Sequence, residues 1–142
     1  MRILIINGPN LNLLGERKPE VYGTEDFATV LARLRQDFPG VLIEYRQSNH
    51  EGDLIDFLHR GRRIYDGFVL NAGGYTHTSV ALRDAVEAIA PPVVEVHWSD
   101  IDKRETFRRT SLLADVCAAR FYGQGENSYR KAVQWLISHL SK

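Results

Sequence analysis

Period-two geometry along Val93-Val-Glu95-Val-His97-Trp-Ser99-Asp100 places Glu95, His97 and Ser99 on one face of a strand. A carboxylate buried beside an imidazole fixes its tautomer and favours the imidazolium, the form a proton donor needs. A lone histidine can equally be a satisfied core residue. The position of His97 at the carboxyl end of a strand, level with two other polar loops, favours function. One of those loops is Asn71-Ala-Gly73-Gly-Tyr75-Thr-His77-Thr-Ser79. Glycines such as Gly73 let backbone approach a small molecule, while Asn71, His77 and Ser79 offer hydrogen bonds; a turn and helix cap is the alternative for the same residues. The other runs from Asn7-Gly-Pro-Asn10 through Gly15-Glu-Arg17-Lys-Pro-Glu-Val to Tyr22-Gly23, and the helical pattern resumes only at Thr24. That is long beside the ~2–6 residues usual for a strand-to-helix connection. Loops of this kind are functional or mobile, unless Gly and Pro simply build a surface turn. Arg108 and Arg109, in Phe107-Arg-Arg-Thr, form either a solvated face or a cation reaching back over the mouth of a site.

Several chemistries find no support in the pattern. No glycine-rich turn runs straight into a helix terminus, so a phosphate-binding loop is disfavoured. The paired acidic residues of a phospho-acceptor domain are missing after the first strand. The five histidines (His50, His59, His77, His97 and His139) lack zinc-ligand spacing, and there is no Gly-x-Ser-x-Gly elbow. Cys117 lies in an apolar strand and reads as a small core residue rather than a nucleophile. Neither metal nor covalent catalysis is suggested.

The elements that must position these groups alternate from end to end. Strands are expected at Ile3–Asn7, Val41–Gln47, Gly67–Asn71, Val93–His97 and Val116–Tyr122; the unbroken apolarity of ILII and FVL suits strands covered on both faces. Phe27, Val30, Leu31, Leu34 and Phe38 recur at helical spacing behind Thr24 as cap, with Glu25 and Asp26 in the first turn. Ser48 and Glu51 have capping-box spacing ahead of Leu54, Ile55 and Leu58. A third helix follows Thr76 to about Ile89 and stops before Pro91-Pro92. A last one starts near Ser128 and carries Tyr129, Val133, Leu136, Ile137 and Leu140 on one stripe. The helix between His97 and Val116 is short or missing. The expected fold is α/β: a flavodoxin-like, doubly wound, five-stranded parallel sheet with helices on both faces, right-handed crossovers, and a ligand site beyond the carboxyl ends of the strands.

Length and charge agree with one such domain over residues 1–142. Eighteen basic and 18 acidic residues cancel, which argues against a general nucleic-acid binder and leaves little repulsion between copies. A single cysteine fits a reducing, cytoplasmic setting. MRILIING reads as a first strand rather than a signal peptide, and no apolar run approaches the ~20 residues of a membrane span.

Taken together and in order, NGPNLNLLGERKPEVYG, LNAGGYTHTSVALRDA and EVHWSD…FRR closely resemble the type II 3-dehydroquinate dehydratases, and SNHEG extends the likeness over nearly the whole chain. The resemblance implies reversible dehydration of 3-dehydroquinate to 3-dehydroshikimate without a cofactor, serving aromatic biosynthesis or quinate breakdown, in a homododecamer of four trimers. Carried over motif by motif, it makes Tyr22 the base and Arg17 the group that activates it. His97 becomes the acid with Glu95 its orienter, and Asn10 holds the enolate-stabilising water. Asn71, Ser99 and the backbone around Trp98 would hold the substrate carboxylate, with Gly73 also among the substrate-binding residues; His77 and Arg108 would bind its ring hydroxyls, and Asp84 would come from a neighbouring subunit. Four departures stand out. Lys18 follows the arginine where an acidic residue is common. Trp98 replaces a smaller aliphatic, and Asp100 replaces a frequent asparagine and adds negative charge near the carboxylate site. Ala119-Arg120-Phe121 stands in place of a glycine-containing stretch, a change expected to touch packing more than chemistry.

The implied reaction sets its own demands. The proton at C2 of a β-hydroxy ketone is acidified by the C3 carbonyl, and hydroxide leaves from C1, so a stepwise path needs a base, an enolate stabiliser and an acid. A free phenol titrates near 10; using one as a base near neutrality takes ~3 units, or ~4 kcal/mol, of differential stabilisation of phenolate. A close guanidinium can supply much of that, whereas burial alone acts the wrong way. Two rivals use the same fold: a non-catalytic module binding a small polyol or acid, and a flavin carrier, for which the first loop lacks a hydroxyl-rich phosphate cradle.

Overall fold

Three strand segments are apolar on both sides because both sides are covered. In the computed structural model, which describes residues 1–142, β1 (Arg2–Asn7), β2 (Leu42–Gln47), β3 (Gly67–Asn71), β4 (Val93–His97) and β5 (Ala119–Tyr122) form one parallel sheet. The strand order is β2-β1-β3-β4-β5. The central β1, β3 and β4 are buried along almost their whole length, whereas the edges β2 and β5 are partly open. The helices are α1 (Pro19–Tyr22), α2 (Phe27–Asp37), α3 (Glu51–Gly61), α4 (Val80–Ala88) and α5 (Glu126–Leu140).

Alternation along each strand sorts side chains into two cores. Ile3, Ile5, Val69, Val94 and Val96 pack against α2 and α5. Leu4, Ile6, Phe68, Leu70 and Val93 pack against α3 and α4 on the opposite face. Leu34, Leu54, Leu58, Leu82 and Leu136 dock the helices and are wholly buried, each such side chain contributing about 1.5–3 kcal/mol on leaving water. No helix is long and apolar enough to cross a membrane.

The expected architecture is therefore the observed one, with local differences at the caps and ends. Asp26, not Thr24, caps α2, accepting from the Thr29 amide at 3.0 Å. The Ser48–Glu51 capping box does not form. Ser48 Oγ instead accepts from the His50 amide at 3.0 Å and donates to Asp53 at 2.6 Å, and α3 starts at Glu51. Residues Gly73–His77 make a 3₁₀ turn ahead of α4, which opens after Ser79, whose Oγ accepts from the Leu82 amide at 2.9 Å. Ser79 is thus a cap and not a ligand group. α5 opens at Glu126, two residues before Ser128, and β5 begins at Ala119, three after Val116. Between β4 and β5 two 3₁₀ turns, Ile101–Lys103 and Thr106–Arg109, replace a helix.

The chain leaves β1 toward β2 and later leaves β3 toward β4 in the other direction. A crevice opens at such a reversal, at the carboxyl ends of the strands on either side of it.

Candidate active site

Glycine lets the loops after β1 and β3 meet at that crevice. The Gly8 amide donates to the Asn71 carbonyl at 2.7 Å, and a Cβ on Gly8 would sit 2.7 Å from the Ala72 carbonyl oxygen. Beyond Gly8 the long loop is tied down by buried Leu11 and Leu14. It then forms α1, with Pro19 pre-set in its first turn and Tyr22 at its end. Tyr22 is 6% exposed and packs with Phe27 and Trp98 in the α2/α5 core, so its phenol edge is aimed into the crevice rather than at solvent.

The resulting cleft has a volume of about 150 Å³, below the ~300–1,000 Å³ typical of drug-sized ligands, and so suits a small molecule. Eleven of the twelve expected site residues (all but Asp84) either line it or stand directly behind the lining. Asn10, Arg17, Tyr22, Asn71, Gly73 and His77 reach it from the first two loops; His97, Trp98, Ser99 and Arg108 reach it from β4 and beyond. Glu95 stands behind His97, wholly buried. Asp84 lies exposed on α4 and does not line the cleft of its own chain. Of the two adjacent arginines, Arg108 lines the cleft and Arg109 does not. Asp100 turns away: its carboxylate caps the 3₁₀ turn at the Asp102 amide, 3.1 Å away, so its charge does not enter the lining.

Tyr22 is met by the expected arginine and by a second one. Arg17 lies over the ring face, its guanidinium carbon 4.6 Å from the centroid. The hydrogen bond to the phenolic oxygen comes from Arg104 Nη1 at 2.7 Å. Arg17, five residues earlier on the same loop, reaches the flank of the ring, whereas the oxygen points across the cleft to the segment after β4. Nothing in the sequence marks Arg104, which follows a 3₁₀ turn that leaves no periodic signature. Its side chain is 14% exposed, and Nη1 also donates to Ser99 Oγ at 3.3 Å. Tyr22 thus meets a guanidinium at the face of its ring and another at its oxygen.

In the same lining, His97 Nε2 lies 2.5 Å from Glu95 Oε2. Ser111 Oγ donates to the same oxygen at 2.8 Å, and Arg120 Nε lies 3.4 Å from it. Burial pushes the Glu95 carboxyl up, but the His97 hydrogen bond and charge, the Arg120 charge and the Ser111 hydrogen bond together bring it below the usual carboxylate value. Glu95 is thus held ionised behind the imidazole and commits Nε2, leaving Nδ1 without a protein partner. The stretch Ala119-Arg120-Phe121, expected to touch packing more than chemistry, brings Arg120 to the carboxylate. The signal was hidden because only strand register, Glu95 opposite Arg120, joins them.

The remaining groups are fixed by the backbone around them. His77 Nδ1 sits 2.7 Å from the Thr110 carbonyl and donates to it. Burial lowers the His77 imidazole below its ordinary value, more than the Thr110 bond raises it, and His97 and Arg108 push the same way as burial. It is a neutral hydrogen-bonding group with Nε2 free to accept. Asn71 donates from Nδ2 to the Tyr129 phenol at 2.8 Å and accepts from the Gly73 amide at 3.2 Å. Tyr129 in turn donates to Asn7 Oδ1 at 2.7 Å. The cleft floor is therefore a closed polar network, with one Asn71 amide hydrogen to spare.

Arg17, Arg104 and Arg108 line a cleft with no carboxylate in its lining, in a chain of net charge zero. This concentration of charge selects a small anion. No three His, Cys, Asp or Glu side chains gather as a metal site. Burial pushes the Cys117 thiol up to about 12, with Glu95 adding to the shift, so it is inert.

Fold and cleft together define a doubly wound α/β protein with a small, arginine-rich cleft at its switch point. Residues 1–137 match the family model for dehydroquinase class II, and the chain belongs to that family. It is 55% identical over 140 residues to a 3-dehydroquinate dehydratase of Exiguobacterium sp., covering 98% of this chain and 96% of that one. A 3-dehydroquinate dehydratase of Dinoroseobacter shibae is 48% identical, covering 99% and 95%. The crystal structure of type II dehydroquinase from Butyrivibrio crossotus superposes with a TM-score of 0.93 at 39% identity, covering 96% of this chain and 97% of that one. That from Propionibacterium acnes gives 0.91 at 33%, covering 96% of each.

Proposed function

We propose that this chain, acting as one catalytic domain, dehydrates 3-dehydroquinate reversibly to 3-dehydroshikimate by anti elimination through an enolate. The observation that carries this reading is the pairing of two groups in one small cationic cleft. A phenol with guanidiniums at its face and its oxygen lines it, and so does an imidazole backed by a buried, ionised carboxylate. Tyr22 takes the C2 proton, and its surrounding positive charge stabilises the phenolate that does so. Negative charge passes to the C3 oxygen, where Asn10 at the cleft mouth holds the water that stabilises it. His97 then gives its proton to the C1 oxygen, which leaves as water.

Asn71, Ser99 and the backbone at Gly73 and Trp98 hold the substrate, and His77 and Arg108 hold its hydroxyls. No lysine lines the cleft, so the path needs no imine. Asp84, exposed on α4, is available to a neighbouring copy in a homo-oligomer. The family relatives support the substrate and reaction; the arginine-rich lining supports a carboxylate ligand.

Purified protein mixed with 3-dehydroquinate should generate the near-ultraviolet absorbance of the conjugated enone. Tyr22→Phe should stay folded and bind substrate yet lose nearly all turnover, and borohydride with substrate should not inactivate. Substantial turnover by Tyr22→Phe removes Tyr22 as base. No absorbance from the wild type favours the binding-module reading.

A further inference from the structure

Glu95 faces two cations. His97 approaches from its own strand at 2.5 Å, and Arg120 approaches from β5, its direct register partner, at 3.4 Å from the same oxygen. The guanidinium is fixed by stacking on Tyr122, its carbon 4.7 Å from the ring centroid, and Tyr122 is held by donating to Asp102 at 2.9 Å. Arg120 Nε and Nη2 and Glu95 Oε1 are buried with no hydrogen-bond partner. The Arg120–Glu95 contact is therefore one of charge rather than a directed hydrogen bond, and it sits behind the imidazole, outside the cleft lining.

We propose that Arg120 is a positioning residue that divides the Glu95 carboxylate between two cations and so makes His97 a readier proton donor to the departing hydroxide. The inference rests on the function proposed above. A carboxylate serving His97 alone holds the imidazolium proton tightly, which fixes the ring but opposes transfer. A second cation on the same oxygen weakens that hold and repels the imidazolium directly. It also keeps Glu95 ionised once His97 has given its proton to the C1 oxygen and is neutral. The hydrogen moves from His97 nitrogen to oxygen, the C1–O bond breaks to release water, and Glu95 takes up no proton. The other groups facing the pair are His77, whose ring centroid is 6.4 Å from that of His97, Arg108 beside His77, Cys117 below β5, and Tyr122 opposite His97. None of them is a second cation on the carboxylate.

The test is the pH at which the His97–Glu95 pair gives up its proton. It is read from slow deuterium exchange at the His97 Cε1 hydrogen, peptide by peptide, by mass spectrometry of the whole assembly. In Arg120→Gln and Arg120→Met this midpoint should rise by about half a unit to one unit, since the arginine is partly exposed and its field partly screened. Arg120→Lys should stay within about 0.3 units of wild type. kcat in the neutral variants should fall several-fold, with KM changed less than twofold. An unchanged or lowered midpoint in the neutral variants overturns the proposal. So does failure of both to fold while Arg120→Lys folds, because the charge then serves stability alone. The exchange readout needs no substrate, so absence of dehydration by the wild type would refute the proposed function without touching this measurement.

Discussion

Removing the Arg104 side chain beyond its aliphatic stem, as Arg104→Met, deletes the 2.7 Å hydrogen bond to the Tyr22 oxygen and a unit charge. A hydrogen bond to an ionised partner contributes about 1.5–3 kcal/mol. Two unit charges about 4 Å apart at an effective dielectric near 20 attract by ~4 kcal/mol. At 14% exposure, Arg104 is little screened by solvent. Arg17 remains on the ring face in the variant and sustains part of the field, so the lower bracket applies. A loss of about 2–3 kcal/mol corresponds to a kcat some 30- to 150-fold lower. The decisive assay is a double-mutant cycle, followed by enone absorbance at high enzyme concentration. If Arg104 acts through the phenolic oxygen, the same substitution in Tyr22→Phe should cost less than about threefold, a coupling near 2 kcal/mol. Equal fold-losses in both backgrounds would refute the reasoning and place Arg104 on the substrate by way of Ser99, where KM rather than kcat should move.

Two further outcomes follow from His97 and from the cleft floor. His97→Ala should slow expulsion of the C1 hydroxyl more than exchange of the C2 proton with solvent, measured by deuterium incorporation into recovered substrate; an equal fall in both rates would remove His97 as acid. Tyr129→Phe leaves Asn7 Oδ1 without its donor and Asn71 Nδ2 without its acceptor in a wholly buried setting. Unmet polar groups of this kind cost about 1–3 kcal/mol, so the urea midpoint should fall; an unchanged midpoint would show that the network relaxes freely.

The strands, their parallel pairing and the three polar loops at their carboxyl ends were legible because continuous apolar runs and period-two spacing report directly on burial. Glu95 and His97 were found in the same way, as neighbours two apart on one strand. What escaped were relations between elements. Arg104 reaches Tyr22 from 82 residues away through a 3₁₀ segment without periodicity. Arg120 reaches Glu95 through strand register, which spacing along one strand cannot supply. The helix starts slipped for a related reason: Thr24, Asp26, Ser48 and Ser79 are all competent caps, and packing decides which of them meets a free amide. The point at which Arg17 meets Tyr22 was not legible either, because sharing a loop fixes proximity but not which part of the ring a long side chain touches.

The Tyr129 phenol that closes the cleft floor belongs to α5, while Asn7 and Asn71 sit at the ends of strands completed much earlier in the chain. Burial pushes that phenol far above its ordinary value, so it remains a proton donor at every physiological pH. During synthesis at roughly 5–20 residues per second, the two asparagines emerge several seconds before the hydroxyl that unites them. Until α5 docks, they are an unfinished pair at the uncovered carboxyl ends of two central strands. The floor of the cleft is therefore the last part of the site to be completed, and it closes only when the final helix of the chain settles against the sheet.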